Sequence, residues 1–121
     1  MKKKILSLSL GLILLTGTSV LASPINTTSS GTTLYDYGDG KISSTSGTVT
    51  TYAVDTIKVT SSLYRGGILV NSASESDTNT HFVLASVPSA VKLSGITYSA
   101  IGYHSATHNG VTYTHTSTNP K

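Results

Sequence analysis

The dipeptide Asn109-Gly110 constrains the fold more than any other feature, because it separates two runs of alternating residue types. Asn-Gly is the preferred pair for a two-residue type I′ hairpin turn, in which both central residues need a positive φ. A two-residue loop fixes the strand register, so His104 is predicted to face His115 across the hairpin. The stretch from Gly95 to Ser117 therefore predicts an antiparallel hairpin.

The two faces of this hairpin differ in chemistry, because side chains in a strand alternate between the faces of the sheet. We expect one face to look inward; it carries His104, Ala106, His108, Val111, Tyr113 and His115. The opposite face is rich in hydroxyl groups and is expected to meet solvent. An aromatic ring among hydroxyls is a candidate platform for a sugar, which predicts a ligand surface of Tyr103, Thr112, Thr114 and Thr116. A plain solvated sheet face is the alternative.

Residues 1–22 have the features of an export signal. Three lysines, an apolar run from Ile5 to Leu15 and a small-residue pattern ending at Ala22 follow one another. The apolar run is shorter than the ~20 residues that a membrane-spanning helix needs. We therefore expect a signal helix that is cleaved after Ala22 and a product that is secreted outside the cell.

Cleavage of this signal changes the charge of the chain. The whole chain has 8 Lys and Arg against 5 Asp and Glu, and three of the lysines lie in the signal. Eight less three leaves five basic against five acidic residues, a net charge of zero. Electrostatic binding to nucleic acid is therefore not expected, nor is contact with a membrane other than through the signal during export.

The residues that follow the signal predict a single all-β domain. They include no Cys, many β-branched residues and few good helix formers. Turn dipeptides divide them into about seven or eight short strands, which is typical of a sandwich or a small barrel, and we expect a small antiparallel sandwich. We expect a flexible polar lead at 23–30, the β domain at 31–118 and a tail at 119–121.

Two local patterns refine this fold. Taking Gly66-Gly67 as a hairpin loop pairs Leu63 with Val70 and Lys58 with Glu75, which puts apolar residues on one face. The segment 95–100, G-I-T-Y-S-A, resembles the tyrosine corner before the penultimate strand of immunoglobulin-like domains. That resemblance favours an immunoglobulin-like topology.

Motifs for catalysis and for cofactors are not evident. The chain has no Cys nucleophile, no G-x-S-x-G elbow, and only one Glu and four Asp. We therefore expect no catalytic residues and no cofactor.

The histidines supply the one candidate metal site. Directly opposed residues on an antiparallel pair have Cβ atoms ~4.5–5.5 Å apart, which is close enough for His104 and His115 to bind one ion. A third ligand, such as His81 or an Asp, would have to come from another strand. The alternative is a pair of imidazoles satisfied by hydrogen bonds.

Two hypotheses for function result. The leading one is a small secreted, non-enzymatic β-sandwich that binds a cell-wall component, a glycan or a protein outside the cell, with a bacteriocin-like antagonist as a variant. The alternative is a secreted metal-binding protein or small metal-dependent hydrolase that uses His104 and His115.

Overall fold

The computed structural model describes residues 22–119, and this part of the chain is all-β. Its six strands are β1 (Gly31–Asp36), β2 (Lys41–Arg65), β3 (Ile68–Ser86), β4 (Ala90–Val91), β5 (Tyr98–His108) and β6 (Val111–Asn119). Within residues 22–119 no helix is long and apolar enough to cross a membrane. Residues 1–21 of the predicted signal helix (1–22) and the last two residues of the predicted tail lie outside the described residues.

One antiparallel sheet contains all six strands, and β2 organises it. The order is β1-β2-β5-β6, and β3 and β4 also pair with β2. β3 follows one edge of β2, while β1 and then β5 occupy the other edge in succession. The sheet curls into a half-barrel, which brings β1 towards β6.

A large bulge in β2 explains the curl. The pairing with β3 shifts between Val49, opposite Phe82, and Val54, opposite Thr80, so four residues of β2 face His81 alone. Bulges bend a strand and increase its twist. Beyond the bend β2 lies over its own first half, because the Oγ atoms of Ser44 and Ser61 are 3.0 Å apart.

The number and length of the strands differ from the expectation of seven or eight short strands. β2 has 25 residues and β3 has 19. The polar segment 76–80 has the composition of a loop. It nevertheless continues β3, because it pairs with β2, as at Thr56↔Thr78. A long strand that contains bulges leaves fewer turn signals in a sequence than several short strands that are joined by loops.

The apolar core is thin and lies in two clusters on the concave side of the sheet. The first consists of Ile25, Val54, Ile57, Val59, Val83, Ala85 and Ala106. The second consists of Ile42, Leu63, Val87 and Tyr98. Eight buried Ser and Thr side chains and His104 accompany them, so much of the interior is polar.

Residues 23–30 correct the expectation of a free polar lead. Pro24 and Ile25 are buried, and Ile25 forms a β-bridge with Thr50 of the bulge. The Ser30 hydroxyl accepts a hydrogen bond of 2.9 Å from the Val49 amide. Two apolar residues in a polar stretch show no periodicity, which is why the sequence does not reveal this packing. At the other end, Asn119 of the predicted tail belongs to β6.

The predicted turns are present, and one of the two predicted registers is confirmed. Asn109 and Gly110 have φ of 51° and 78°, and His104 pairs with His115 as expected. At the Gly66-Gly67 turn the predicted register is wrong, because Val70 is an extra residue of β3 that has no partner in β2. Leu63 therefore pairs with Asn71 instead of Val70, and Lys58 with Ser76 instead of Glu75.

The segment that resembles a tyrosine corner makes a contact of that kind. The Tyr98 hydroxyl accepts a hydrogen bond of 2.8 Å from the Leu93 amide, five residues upstream. Tyr98 is the first residue of β5, the penultimate strand.

Candidate functional site

His104 lies at the centre of a buried hydrogen-bond network. The inward face of β5 carries it, and its side chain is 2% exposed. Its Nδ1 is 2.8 Å from Thr48 Oγ1, and its Nε2 is 2.7 Å from Ser117 Oγ. The Thr48 hydroxyl donates to the Lys58 carbonyl, which can only accept, so Thr48 accepts from Nδ1–H of a neutral His104. Nε2 is then the acceptor for the Ser117 hydroxyl.

The network continues from Ser117 across the interior. Thr32 Oγ1 of β1 is 2.7 Å from Ser117 Oγ and 2.8 Å from Ser46 Oγ. Ser46 in turn lies 2.9 Å from Ser61 Oγ. The hydroxyls meet over Gly102, where a Cβ would overlap the Thr32 oxygen. This network ties the two end strands β1 and β6 together.

His115 faces His104, as the hairpin register predicts. The ring centroids are 5.5 Å apart and the rings are tilted by 31°. Burial, and to a lesser extent the charge that His115 can carry, lower the pKa of His104 to about 4. His104 is therefore neutral at physiological pH, as the direction of its hydrogen bonds requires.

The predicted metal pair is assembled, but without a third ligand. Among residues 22–119 no group of three His, Cys, Asp or Glu side chains could hold an ion. His81, the suggested third ligand, is exposed on β3. Both ring nitrogens of His104 are bonded to hydroxyls, so an ion at His104 would have to displace one of them.

His108 belongs to a different environment at the far end of the hairpin. Its Nδ1 lies 3.5 Å from Asp55 Oδ1, and its ring contacts that of Tyr52 edge-on with centroids 5.3 Å apart. The side chain is thus not part of the His104–His115 pair, in agreement with the strand spacing.

A cavity lies where β1 and β6 approach each other. This groove has a volume of about 530 Å³ and is lined mainly by hydroxyl side chains of β1, β6 and the segment before β1. Thr32 and Ser117 both line it, so the buried network reaches the groove through them. We call this cavity the seam groove.

Aromatic and aliphatic side chains form the other part of the seam groove. Tyr35 and Phe82 are 45% and 47% exposed and lie on the convex face of the sheet, as does Leu84. Gly47 lies beside Leu84 and Phe82, since a Cβ at Gly47 would lie 3.3 Å from Leu84 and 3.4 Å from Phe82. Sequence reasoning missed these residues, although Phe82 and Leu84 do alternate along one strand. Nothing in the sequence indicates that this apolar alternation faces outward.

The predicted ligand surface is brought together in part. Tyr103, Thr114 and Thr116 line a second cavity of about 270 Å³ on the convex face, which we call the outer cavity. Thr112 does not line it, and its hydroxyl is 2.9 Å from that of Thr107. Tyr103 is 46% exposed, as a ligand platform requires.

The chain matches no protein-family model, and no curated protein or solved structure is significantly similar to it. A function for these cavities therefore has to be argued from their geometry and chemistry.

Proposed function

We propose that this protein is a secreted, non-enzymatic binding domain that holds a glycan of the cell wall or cell surface in the seam groove. The observation that carries the proposal is the lining of this groove, which combines many hydroxyl groups with the exposed rings of Tyr35 and Phe82. A sugar presents hydroxyls at its rim and C–H groups on its faces, so it bonds to the former and stacks on the latter. A volume of about 530 Å³ lies in the usual range for small-ligand sites.

The charge of the groove supports a ligand that is uncharged where it occupies the groove. None of the described residues that line it is Lys, Arg, Asp or Glu, and His115 is the one histidine. Residues 23–121 carry five basic and five acidic side chains. A phosphate-rich or strongly acidic partner would find little to bind there.

The electrostatics of His104 support a binding role over catalysis. The hydrogen-bonded row resembles a catalytic triad, with Ser117 in the place of the nucleophile, His104 in that of the base and Thr48 in that of the orienting group. A general base has to become imidazolium, and burial together with His115 lowers the pKa of His104 to about 4. Its partners are hydroxyls, which stabilise that cation far less than a carboxylate does. The network is therefore better suited to holding strands than to transferring protons.

We further infer that the half-barrel is a variant of the immunoglobulin-like sandwich. Two contacts support this: β2 lies over itself at Ser44 and Ser61, and the Tyr98 hydroxyl is bonded to the Leu93 amide. The scaffold would present the seam groove from rigid strands, which suits a preformed site.

The alternative function, a metal-binding protein or a small metal-dependent hydrolase, is supported by one observation. The imidazole rings of His104 and His115 lie 5.5 Å apart. The metal titration described in the Discussion separates this alternative from glycan binding.

Binding to glycans of defined composition tests the proposal. Residues 23–121 are incubated with chitin, cellulose and purified walls of related and competing bacteria, and soluble oligosaccharides are titrated by calorimetry. Because ring stacking contributes ~0.5–1.5 kcal/mol, Tyr35→Ala and Phe82→Ala should each weaken binding by about two- to tenfold. Tyr52→Ala is the matched control, since Tyr52 is 46% exposed and lies outside the seam groove.

Two results would overturn the proposal. One is a parent protein that binds none of these glycans. The other is binding that Tyr35→Ala and Phe82→Ala leave at the strength of the Tyr52→Ala control. Binding confined to the walls of competing bacteria would support the bacteriocin-like variant of the same function.

A further inference from the structure

The seam groove and the outer cavity are neighbours on the surface. His115 and Thr116 line both, so β6 is the element that separates them. Among residues 22–119 β6 pairs with β5 alone, which leaves its other edge towards the seam groove. One strand is ~4.8 Å wide, less than the width of a single sugar ring and its substituents. A chain molecule in the seam groove can therefore continue over β6 into the outer cavity.

The outer cavity has a preformed aromatic platform. Tyr103 is 46% exposed, and its hydroxyl lies close enough to that of Tyr64 to influence it. The neighbouring Tyr103 hydroxyl, with burial as a lesser cause, raises the pKa of Tyr64, so the Tyr64 phenol stays neutral. Thr60, Thr114 and Thr116, which carry hydroxyl groups, line the same cavity.

The outer cavity also carries a charge that the seam groove lacks. Lys58 is the one Lys, Arg, Asp or Glu among the described residues that line the two cavities. It is exposed and makes no salt bridge within residues 22–119. An ammonium group beside a ring and three hydroxyls provides a complement to a carboxylate on a sugar.

We propose that the outer cavity is a second subsite for the same glycan, where the ring of Tyr103 stacks on one sugar unit and Lys58 selects a unit that carries a carboxylate. This inference rests on the proposed function, because the glycan has to occupy the seam groove first. It assigns a chain length and a charge to the ligand, which the seam groove alone does not.

Oligosaccharides of matched backbone test the subsite. Three probes are titrated by calorimetry: the disaccharide and the hexasaccharide of β-1,4-linked N-acetylglucosamine, and a hexasaccharide in which every second unit is N-acetylmuramic acid with a free carboxylate. The parent should bind the neutral hexasaccharide more tightly than the disaccharide, and the acidic hexasaccharide more tightly still. Added salt should weaken the preference for the acidic chain.

The variants separate the two parts of the subsite. Tyr103→Ala should weaken both hexasaccharides by about two- to tenfold and leave the disaccharide unchanged. Lys58→Gln should remove the preference for the acidic chain, about two- to fivefold, and leave the neutral hexasaccharide unchanged. Lys41→Gln is the matched control, because Lys41 is an exposed lysine of β2 outside both cavities.

The outcomes also distinguish this inference from the proposed function. If Tyr35→Ala weakens all three probes but Tyr103→Ala weakens none, the seam groove binds glycan and the second subsite is wrong. If Lys58→Gln behaves as the Lys41→Gln control does, the selection of a carboxylate is wrong. If the parent binds none of the three probes, the proposed function fails and this inference fails with it.

Discussion

Gly102→Ala is the sharpest test of the buried network. Gly102 lies in the middle of β5, and its φ is not in the left-handed region, so backbone strain is not the issue. An added Cβ would overlap the Thr32 hydroxyl and lie 2.8 Å from Ser46 Oγ and 2.9 Å from Ser117 Oγ. The neighbours are the short, buried or half-buried side chains of three strands, which cannot swing away as a long side chain could.

The expected loss follows from what the methyl group displaces. Thr32 makes two hydrogen bonds of the network, to Ser46 and to Ser117. Breaking them leaves buried hydroxyls unsatisfied at ~1–3 kcal/mol each, and overpacking adds ~1–3 kcal/mol. We expect a total loss of about 3–9 kcal/mol, against a stability of ~5–15 kcal/mol for a typical domain. In a domain of this size each kcal/mol lowers Tm by ~4–8 °C, so Tm should fall by more than about 12 °C.

Thermal and urea unfolding of residues 23–121, followed by circular dichroism, measures this loss. Gly31→Ala is the control, because a Cβ at Gly31 of β1 meets nothing within 4 Å. The double variant Thr32→Ala/Gly102→Ala should lose less than the sum of its two single variants, since removing the hydroxyl relieves the overlap. A Gly102→Ala protein that melts within about 2 °C of the parent, or strictly additive losses, would refute the packing argument.

Three further predictions concern the hairpin and its histidines. Gly110→Val should lower stability by about 1 kcal/mol or more in a thermal melt, since Gly110 has a φ of 78° that a β-branched residue tolerates poorly. Because the pKa of His104 falls from ~6.5 unfolded to about 4 folded, the unfolded state binds more protons between these values. Stability should therefore drop as the pH falls from ~6.5 to ~4, which urea titrations at several pH values measure. The His104→Gln variant should lose this pH dependence. The His115→Gln variant should largely retain it, because burial is the main cause of the lowered pKa of His104. Zinc or copper should not raise Tm, since both ring nitrogens of His104 are hydrogen-bonded. A rise in Tm that His104→Ala and His115→Ala each abolish, and that His108→Ala leaves intact, would establish the metal alternative.

Local features of the fold could be predicted from the sequence. The Asn109-Gly110 turn sets its own register, so the pairing of His104 with His115 and the inward face of the hairpin follow from neighbouring residues. The Gly66-Gly67 turn is equally local, but a bulge in β3 shifts its register, and the extra residue of that bulge, Val70, is not a Gly, Pro or Asn. A bulge placed by packing, without a signal residue, cannot be derived from an alternating pattern.

The seam groove could not be predicted, because it depends on contacts between distant parts of the chain. Thr32 and Ser117 are 85 positions apart, and the bend of β2 at residues 50–53 brings them together. Hydroxyl residues that are buried in a network and hydroxyl residues that are solvated look alike in a Ser/Thr-rich sequence. Tyr103 could be predicted to be exposed because the Asn109-Gly110 turn fixes the register of its hairpin. No register was predicted for the strands that carry Tyr35 and Phe82, although both side chains are exposed as well.

The two roles of Thr32 and Ser117 restrict how the seam groove can bind a ligand. Both residues line the groove, and their mutual bond holds β1 to β6. A ligand that took this bond would leave other buried hydroxyls unsatisfied, at a cost of ~1–3 kcal/mol that cancels the new contact. Thr33 and Thr116 line the same groove and are exposed. A ligand that bonds to their hydroxyls replaces only hydrogen bonds to water. Ligand specificity should therefore reside in these outer hydroxyls and in Tyr35, while Thr32 and Ser117 fix the distance between the strands.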